Sequence, residues 1–559
     1  MFEKILIANR GEIALRVARA CRELGVRTVA VYSVADRDSA VVRLADEAVC
    51  IGPPEARQSY RNAAAIVEAA RRTGAQAVHP GYGFLSEDAD FAEICADNGL
   101  VFIGPPPEVM LALGDKARAR ALMQDAGLPL PPGSLATVDT AANAREVADE
   151  IGYPVIIKCA AGGGGRGMTV VWSADEFGAA YERTRIAAHA VFGDDRVYVE
   201  RYLVQARHVE VQVLCDGYGN GVHLGTRDCS VQRRHQKLIE EGPAPALSAG
   251  TLDALADSAL RGALRAGYTG AGTFEFLVDE AERFSFIEVN CRIQVEHPVT
   301  EMITGLDLVH EQLHIAAGVP LRLRQEDVRI SGVAVECRVN VEDPDRGFAP
   351  TPGRLTRFVP PSGPCTRVDT HGYPGYLVGP YYDSLLAKVV VWAPDRDLAL
   401  GRMERALHEF DVDGPGVRTT IPFLRRVLDD AGFRKGRYST GLVDRLLGTT
   451  DSAPTDRLST DRLSAASAPG DPSSTGRVST GSVPSNPASS NPASTDPDRA
   501  GLAVPEASAA PAAPAAPAAP AAPAAPAAPA VSAVSAVSEA SAVARSGPPT
   551  TAHLPRRTR

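Results

Sequence analysis

The chain has 559 residues, of which 45% are hydrophobic and 23% charged, and its formal net charge is −10. A single core seldom exceeds roughly 250–300 residues, so this length indicates two or three domains. The acidic balance argues against sequence-independent nucleic-acid binding, which requires a basic surface.

The first part of the chain, residues 1–115, predicts a doubly wound α/β domain. An apolar run at residues 4–8 is typical of a buried strand, and an apolar helical stripe follows between Gly11 and Gly25. Further strands are predicted at residues 26–33, 75–81 and 99–105. The GxGxxG fingerprint is absent after the first strand, which disfavours a nicotinamide oxidoreductase.

A glycine run marks the second region, which begins near Lys116. Gly162 to Gly165 follow a predicted strand that ends at Lys158. Ordering four glycines is costly, so such a run is typical where the backbone must approach a ligand closely or move. Its N–H groups could surround a phosphate, and Lys158 could add positive charge. A flexible surface loop would also explain the run, and the P-loop pattern is missing.

The segment 284–297 carries the strongest chemical pattern. Read as one strand, it places alternate polar residues on one face: Glu288, Asn290, Arg292, Gln294 and Glu296. The companion strand adds Glu275 to the same hairpin. Carboxylates and an amide oxygen are ligands suited to Mg²⁺ or Mn²⁺. A solvated sheet face would also alternate, but the added arginine favours a reaction site.

Several other conspicuous residues have two interpretations. The basic run from Arg233 to Lys237 could be a solvated turn, although Lys237 could hold a small anion such as bicarbonate. Tyr82 lies with His79 in a glycine turn after a strand, which suits either function or structure. His208 and Arg338 lie within predicted strands, where such residues are usually partly buried, paired or exposed.

The third region, residues 331–447, predicts an α+β arrangement. It contains strands at 332–340 and 385–393 and a helix at 397–410. From residue 448 onward Ser, Thr, Pro and Ala dominate, and residues 509–530 repeat an Ala-Ala-Pro unit. This composition predicts a disordered, extended tail over 448–559, either without specific function or acting as a tether or docking arm.

The sequence predicts neither export nor membrane insertion. The N-terminus lacks a signal-peptide pattern, and no stretch reaches the ~18 apolar residues of a membrane span. The nine cysteines are irregularly spaced without a C-x-x-C pair, which is typical of reduced thiols. We therefore expect a cytoplasmic protein.

Ordered motifs give the chain a resemblance to a known family. The segments ANRGEIA, HPGYGFLSE, GGGGRGM, RDCSVQRRHQK, GTFEFL, EVNCRIQVEHPVTEMITG and YYDSLLAK follow one another. Together they resemble biotin carboxylase, an ATP-grasp ligase, over about residues 1–447. The resemblance implies an N-terminal domain at 1–115, an ATP-grasp domain at 116–330 with a mobile glycine-rich lid at about 131–203, a C-terminal domain at 331–447 and the tail.

The resemblance also implies a nucleotide site with two divalent ions, Mg²⁺ or Mn²⁺. ATP would be bound by Lys116, Lys158, Gly163, Gly164, Gly165, Met168, Glu200, Arg201, Tyr202, Leu203, His208, Gln232, His235, Glu275, Leu277 and Glu288. Glu275, Glu288 and Asn290 would hold the ions.

The implied reaction is carboxylation of biotin on a carrier protein through carboxyphosphate, the first half-reaction of acetyl-CoA or acyl-CoA carboxylase. Bicarbonate would be held by Lys237, Arg292, Gln294 and the Val295 backbone. Glu296 would act as general base. Arg338 would stabilise the charge that develops on biotin, and Tyr82 would pack near biotin.

Differences from the usual family pattern leave the charged catalytic groups in place. Ala161 stands where another lid glycine is common, Cys291 replaces a frequent threonine, and Arg201 replaces a common lysine. No lysine follows Lys435, so we expect a separate biotin carboxyl carrier protein.

Other expected partners are a carboxyltransferase subunit and a second copy in a homodimer, with neither nucleic acid nor membrane. The alternatives are another ATP-grasp carboxylase or carbamoyl-forming ligase with a different acceptor, and a non-catalytic scaffold of a carboxylase complex.

Overall fold

The computed structural model describes residues 1–161 and 167–448, and it begins with a parallel sheet covered on both faces. The sheet order is β3-β2-β1-β4-β5, and all four pairings are parallel. The elements are β1 (Lys4–Ile7), α1 (Gly11–Glu23), β2 (Arg27–Ser33), α2 (Ala40–Leu44), β3 (Glu47–Gly52), α3 (Ala63–Thr73), β4 (Ala77–His79), α4 (Ala89–Asp97), β5 (Val101–Phe102) and α5 (Pro107–Gly114).

Two apolar cores sandwich this sheet. Ile5 and Ile7 of β1 pack with the residues of α1, whereas Leu6 packs with residues of α3 and α4 on the opposite face. This two-sided burial confirms the predicted doubly wound α/β domain. β3 was not predicted from the sequence: residues 48–51 are apolar, but this edge strand is mostly exposed or half-buried, and only Ile51 in it is buried.

A small three-stranded antiparallel sheet with its own core follows. Its strand order is β7-β6-β8, and Val155, Ile157 and Phe177 are fully buried in its core. This part contains α6 (Lys116–Asp125), α7 (Ala141–Ile151), β6 (Val155–Cys159), β7 (Met168–Val171), α8 (Ala174–Phe192) and β8 (Val197–Arg201). The predicted phosphate-binding glycines Gly163, Gly164 and Gly165 lie outside the described residues.

The largest sheet has eight antiparallel strands in the order β13-β12-β9-β10-β11-β14-β21-β19. Its first part contains β9 (Arg207–Cys215), β10 (Gly221–Arg233), β11 (Gln236–Gly242), α9 (Ala249–Arg265), β12 (Gly270–Val278), β13 (Phe284–Asn290), α10 (His297–Thr304) and α11 (Leu308–Ala316).

The later elements complete this sheet and cover it. They are β14 (Val333–Asn340), β15 (Glu342–Asp343), β16 (Ala349–Pro350), β17 (Gly353–Arg354), β18 (Arg357–Val359), β19 (Thr366–Thr370), β20 (Leu377–Val378), β21 (Leu385–Ala393), α12 (Arg396–Glu409), β22 (Asp411–Asp413), α13 (Ile421–Asp429), α14 (Ala431–Arg434) and α15 (Leu442–Leu446). Because β11 pairs with β14, the sheet continues across the boundary expected near residue 330.

The expected long strand over 284–297 is wrong beyond Asn290. β13 ends there, and the N–H of Cys291 donates to a side chain, Glu87 Oε1 at 3.0 Å. Residues 291–296 form bends and turns until α10 begins at His297, with Pro298 in its first turn. Strand alternation therefore does not explain why Arg292, Gln294 and Glu296 lie near one another.

Two further expectations concern membrane insertion and the tail. Within residues 1–161 and 167–448, no helix is long and apolar enough to cross a bilayer. The expected disordered tail lies, from residue 449 onward, outside the described residues.

Candidate active site

A cavity of about 1070 Å³ brings most of the predicted site residues together. Its walls come from the N-terminal loops, the small sheet and the large sheet. Among the residues that line it are Tyr82, Lys116, Lys158, Met168, Glu200, Arg201, Tyr202, Leu203, His208, Gln232, His235, Lys237, Glu275, Leu277, Glu288, Asn290, Arg292, Gln294, Val295 and Arg338. Glu296 is fully buried and contacts this wall through Lys237 and Arg338.

The predicted metal ligands share one corner of the cavity. Glu275 and Glu288 are directly opposite each other on β12 and β13. Asn290 Nδ2 donates to Glu275 Oε1 at 2.8 Å, and His208 Nε2 lies 3.0 Å from Glu275 Oε2. Two carboxylates and an amide oxygen in one corner form the donor set that hard divalent ions prefer, so these residues fit Mg²⁺ or Mn²⁺.

Lys237 occupies the centre of the acidic cluster. Its Nζ lies 2.6 Å from Glu210 Oε2, 3.1 Å from Glu275 Oε1 and 2.6 Å from Glu296 Oε1. Burial favours loss of its proton, but the surrounding acidic groups raise the pKa of Lys237 well above its usual range. Lys237 is therefore a permanent cation, suited to holding an anion.

Glu296 is an ionised carboxylate between two cations. Its Oε1 accepts from Lys237, and its Oε2 accepts from Arg338 at 2.9 Å. Burial alone would raise the pKa of Glu296, but Lys237, Arg338 and Arg227 hold that pKa well below its usual range. The carboxylate is consequently able to accept a proton at neutral pH.

Two arginines flank this cluster. Arg292 donates to Gln294 Oε1 at 3.0 Å and to Asn290 Oδ1 at 3.1 Å. Arg338 bridges Glu296 and Glu240, with Nε 2.5 Å from Glu240 Oε1. Burial raises the pKa of Glu240 to about 7 although Arg338 opposes this effect.

The residues expected to surround a nucleotide adjoin this corner of the cavity. Lys158 Nζ lies 2.5 Å from Glu200 Oε2, and Lys116 pairs with Glu288. Glu200 and Arg201 are the last residues of β8, and Tyr202 and Leu203 follow them along the cavity wall. His235 lies in the turn between β10 and β11 with φ +64°, and it lines the cavity.

The sequence analysis missed several buried charged residues around the cavity. Glu12, Glu210, Arg227, Glu240 and Lys388 are each 4% exposed or less. Their burial could not be predicted, because a sequence does not show which face of a strand or helix a neighbouring element covers. A possible signal was Glu210 within VEVQV, a charge inside an otherwise β-forming run.

His79, which the sequence left open between a functional and a structural role, has a structural one. It is fully buried at the end of β4, and its Nδ1 accepts from the N–H of Gly81 at 3.0 Å. Burial lowers the pKa of His79 to about 3, so the ring is neutral and stabilises the glycine turn.

Family models match the chain in three consecutive parts. Residues 1–110 match "Biotin carboxylase, N-terminal domain", residues 115–324 match "Carbamoyl-phosphate synthase L chain, ATP binding domain", and residues 336–445 match "Biotin carboxylase C-terminal domain". A biotin carboxylase from Nostoc is 52% identical over 445 residues, covering 80% of this chain and 99% of the relative. A Bacillus subtilis relative, biotin carboxylase 1, is 50% identical over 445 residues, covering 79% and 98%.

Solved structures show the same similarity. One is the biotin carboxylase domain dimer of 2-oxoglutarate carboxylase from Hydrogenobacter thermophilus, in complex with MgADP, ADP and bicarbonate. It has a TM-score of 0.77 and 46% identity, with 81% of this chain and 99% of that chain covered. A biotin carboxylase from Campylobacter jejuni in a β,γ-ATP complex has a TM-score of 0.78 and 46% identity, with coverage of 80% and 99%.

Proposed function

Because the chain belongs to the biotin carboxylase family, it is an ATP-dependent ligase that carboxylates biotin, and we propose how its own side chains divide this work. One observation carries the proposal: Lys237 contacts both Glu275, among the metal-binding residues, and the candidate base Glu296. One cation thus joins the place where a metal-bound nucleotide would lie to the place where a proton would be removed.

The nucleotide lies between the small sheet and the large sheet in this proposal. Lys116 and Lys158 contact phosphates, and the segment 200–203 with Met168 and Leu277 lines the adenine pocket. All of these residues line the cavity. Glu275, Glu288 and Asn290 would hold two divalent ions, which supply positive charge to the phosphates when bound.

Bicarbonate binds to Lys237, Arg292, Gln294 and the Val295 backbone. Glu296 removes its proton, and the resulting oxygen attacks the γ-phosphorus of ATP, which forms carboxyphosphate and releases ADP. The low pKa of Glu296 keeps it ionised before the reaction.

Carboxyphosphate then breaks down to CO₂ and phosphate, and the phosphate takes the ureido proton of biotin. Arg338 stabilises the negative charge on the ureido oxygen while the ring nitrogen attacks CO₂. Tyr82 lines the same cavity and packs beside biotin.

Residues 131–203 act as a lid in this proposal. They include a separate small sheet with its own core, which supports movement of this part as one body. Closure would protect carboxyphosphate, because water destroys this intermediate. We likewise propose domains at 1–115, 116–330 and 331–447.

The biotin substrate belongs to a carrier domain outside residues 1–559, and a carboxyltransferase uses the product. The absence of lysine from residues 436–559 supports this assignment, because biotin is attached to lysine. The dimer of the Hydrogenobacter domain supports a homodimer here. We also propose a cytoplasmic location.

The test is ATP hydrolysis by the purified chain with Mg²⁺ and bicarbonate, with and without free biotin. We expect biotin to stimulate hydrolysis and labelled bicarbonate to appear in carboxybiotin. Hydrolysis without carboxybiotin would indicate a different acceptor, and no bicarbonate-dependent hydrolysis would indicate a scaffold. Relatives at 50% and 52% identity do not favour either alternative.

A further inference from the structure

Lys388 is a fully buried lysine that lies behind the cavity wall. We propose that it is a positioning residue, which fixes the bicarbonate-binding turn and links that turn to the biotin side of the cavity. This inference rests on the proposed function, because it takes Val295 and Tyr82 as parts of the two binding sites.

The ammonium of Lys388 contacts the bicarbonate-binding turn directly. Its Nζ donates to the carbonyl oxygen of Val295 at 2.9 Å. Lys388 lies on β21 directly opposite Arg338 on β14, so the sheet register aims both cations at the same region. The Val295 carbonyl therefore has a charged donor supplied by a rigid strand.

The same ammonium reaches the biotin side through Glu12. Nζ lies 3.1 Å from Glu12 Oε1, and this oxygen also accepts the hydroxyl hydrogen of Tyr82. Glu12 is 4% exposed on α1. A continuous line of contacts thus runs from Tyr82 through Glu12 and Lys388 to the backbone of Val295.

The turn needs this support because it lies outside the regular sheet. Residues 291–296 follow the end of β13, so their carbonyls have no strand ladder to hold them. His297 Nδ1 lies 2.8 Å from the Gln294 carbonyl, and Lys388 holds the next carbonyl. The Val295 carbonyl shares a peptide plane with the Glu296 N–H, and the Gln294 carbonyl shares one with the Val295 N–H, so the two contacts together fix the backbone that carries the anion site and the base.

A purely structural role is the competing explanation. Lys388 Nζ also lies 3.9 Å from Asp369 Oδ2, and Arg367 donates to both oxygens of Asp369. In that case Lys388 only neutralises buried carboxylates, and its loss would affect folding without selecting one substrate.

The first experiment compares Lys388→Met with Lys4→Met. Lys4 makes the same kinds of contact away from the cavity, to Glu47 and to the Thr73 carbonyl. We expect Lys388→Met to raise the KM for bicarbonate by about ten- to hundredfold, which corresponds to the free energy of one charge-assisted hydrogen bond. The KM for ATP should change less than about twofold. Lys4→Met should change neither KM. Equal changes in both KM values for Lys388→Met would overturn the proposal.

A double variant separates positioning from charge balance. Lys388→Met combined with Glu12→Gln removes both buried charges, so thermal stability should recover relative to Lys388→Met. The KM for bicarbonate should remain raised, because the Val295 carbonyl still lacks its donor. Recovery of that KM together with stability would assign Lys388 a structural role alone.

Tyr82→Phe tests the link even if the lysine variants do not fold. Without its hydroxyl partner, Glu12 is free to turn both oxygens toward Lys388 and draw the ammonium from Val295. We expect the KM for bicarbonate, measured without biotin, to rise about threefold or more. Tyr218→Phe removes a similar hydroxyl bond, to the Gly318 carbonyl, and should have no effect. An unchanged bicarbonate KM in Tyr82→Phe would exclude the link.

Failure of the proposed function gives a different result. In that case the unmodified chain shows no bicarbonate-dependent ATP hydrolysis, before any variant is compared. If only the Lys388 inference is wrong, the unmodified chain keeps its bicarbonate-dependent ATP hydrolysis. Lys388→Met then does not raise the KM for bicarbonate selectively.

Discussion

Buried strands of the parallel sheet and of the eight-stranded sheet carry different side chains. Ile5 and Ile7 in the first sheet are fully buried aliphatic residues, whereas Glu210, Arg227 and Glu240 in the second are fully buried charges. Both sets lie on strands covered by other elements. Burial in this protein therefore follows topology, because aliphatic and charged side chains alike are buried where other elements cover a strand.

The charged sheet tolerates its ions because they are paired. Arg227 Nε lies 2.6 Å from Glu210 Oε1, and Lys237 binds the other oxygen of the same carboxylate. A buried ion without a partner costs several kcal/mol, so loss of one member is harmful while loss of a pair is often tolerated. Aliphatic residues such as Ile5 and Ile7 in the parallel sheet do not depend on a charged partner in this way.

The largest expected effect is on catalysis in the charged sheet. Glu296→Gln should lower the rate of carboxybiotin formation by about 10²–10⁴-fold, because the amide cannot accept the bicarbonate proton. Lys237 keeps Glu210 and Glu275 as partners, so affinity for a non-hydrolysable ATP analogue should change only a few-fold. Initial rates and calorimetric binding measure the two quantities. Glu280→Gln, at an exposed position, is the control, and a retained rate in Glu296→Gln would remove Glu296 as the base.

The second effect concerns stability and tests the pairing directly. Arg227→Met leaves Glu210 with one partner fewer and should lower the free energy of unfolding by about 3–5 kcal/mol. Adding Glu210→Gln should restore part of that loss. Ile7→Ala in the parallel sheet should cost about 2–5 kcal/mol by creating a cavity, with substrate KM values unchanged. Urea unfolding and steady-state kinetics measure these differences, and a loss below about 1 kcal/mol for Arg227→Met would contradict the pairing argument.

A third, smaller effect is the pH dependence that Glu240 confers on stability. Its pKa rises from 4.5 to about 7 on folding, so the folded state binds more protons between those values. The contribution of Glu240 to the free energy of unfolding should therefore fall as pH rises from 5 to 8.

Glu240→Gln removes this titration and is the variant that tests it. The stability advantage of the unmodified chain over Glu240→Gln should shrink over that pH range, by on the order of 1 kcal/mol or more. Thermal unfolding at several pH values measures it, with Glu409→Gln as an exposed control. A growing advantage would show that Arg338 keeps Glu240 ionised.

The smallest effect is expected where an ion pair is exposed. Arg405 and Glu409 pair at 2.8 Å on α12, with side chains 37% and 44% exposed. Arg405→Ala should change stability by less than about 0.5–1 kcal/mol, because water screens the pair and holding it costs side-chain entropy. A loss as large as that of Arg227→Met would mean that burial does not decide the importance of an ion pair.

Local pattern was sufficient for much of the fold. The run at 4–8 corresponds to β1, the apolar stripe ahead of Gly25 corresponds to α1, and the alternating hairpin corresponds to β12 and β13. The pattern failed at 291–296, because polar alternation looks the same in a strand and in a turn whose side chains converge on one cavity. It also missed β3, an edge strand whose apolar run at residues 48–51 is only partly buried.

The sequence by itself determined the chemical groups and their order: carboxylates on adjacent strands, a glycine run, and lysine and arginine residues at fixed places along the chain. Only the tertiary structure decided that Lys237 meets Glu275 and Glu296, which are 38 and 59 residues away in the chain. Strand order in the large sheet makes these contacts, and pairing between distant strands is not encoded in any short window. The same holds for Lys388, whose contacts to Glu12 and to the Val295 carbonyl join parts of the chain that are far apart in sequence.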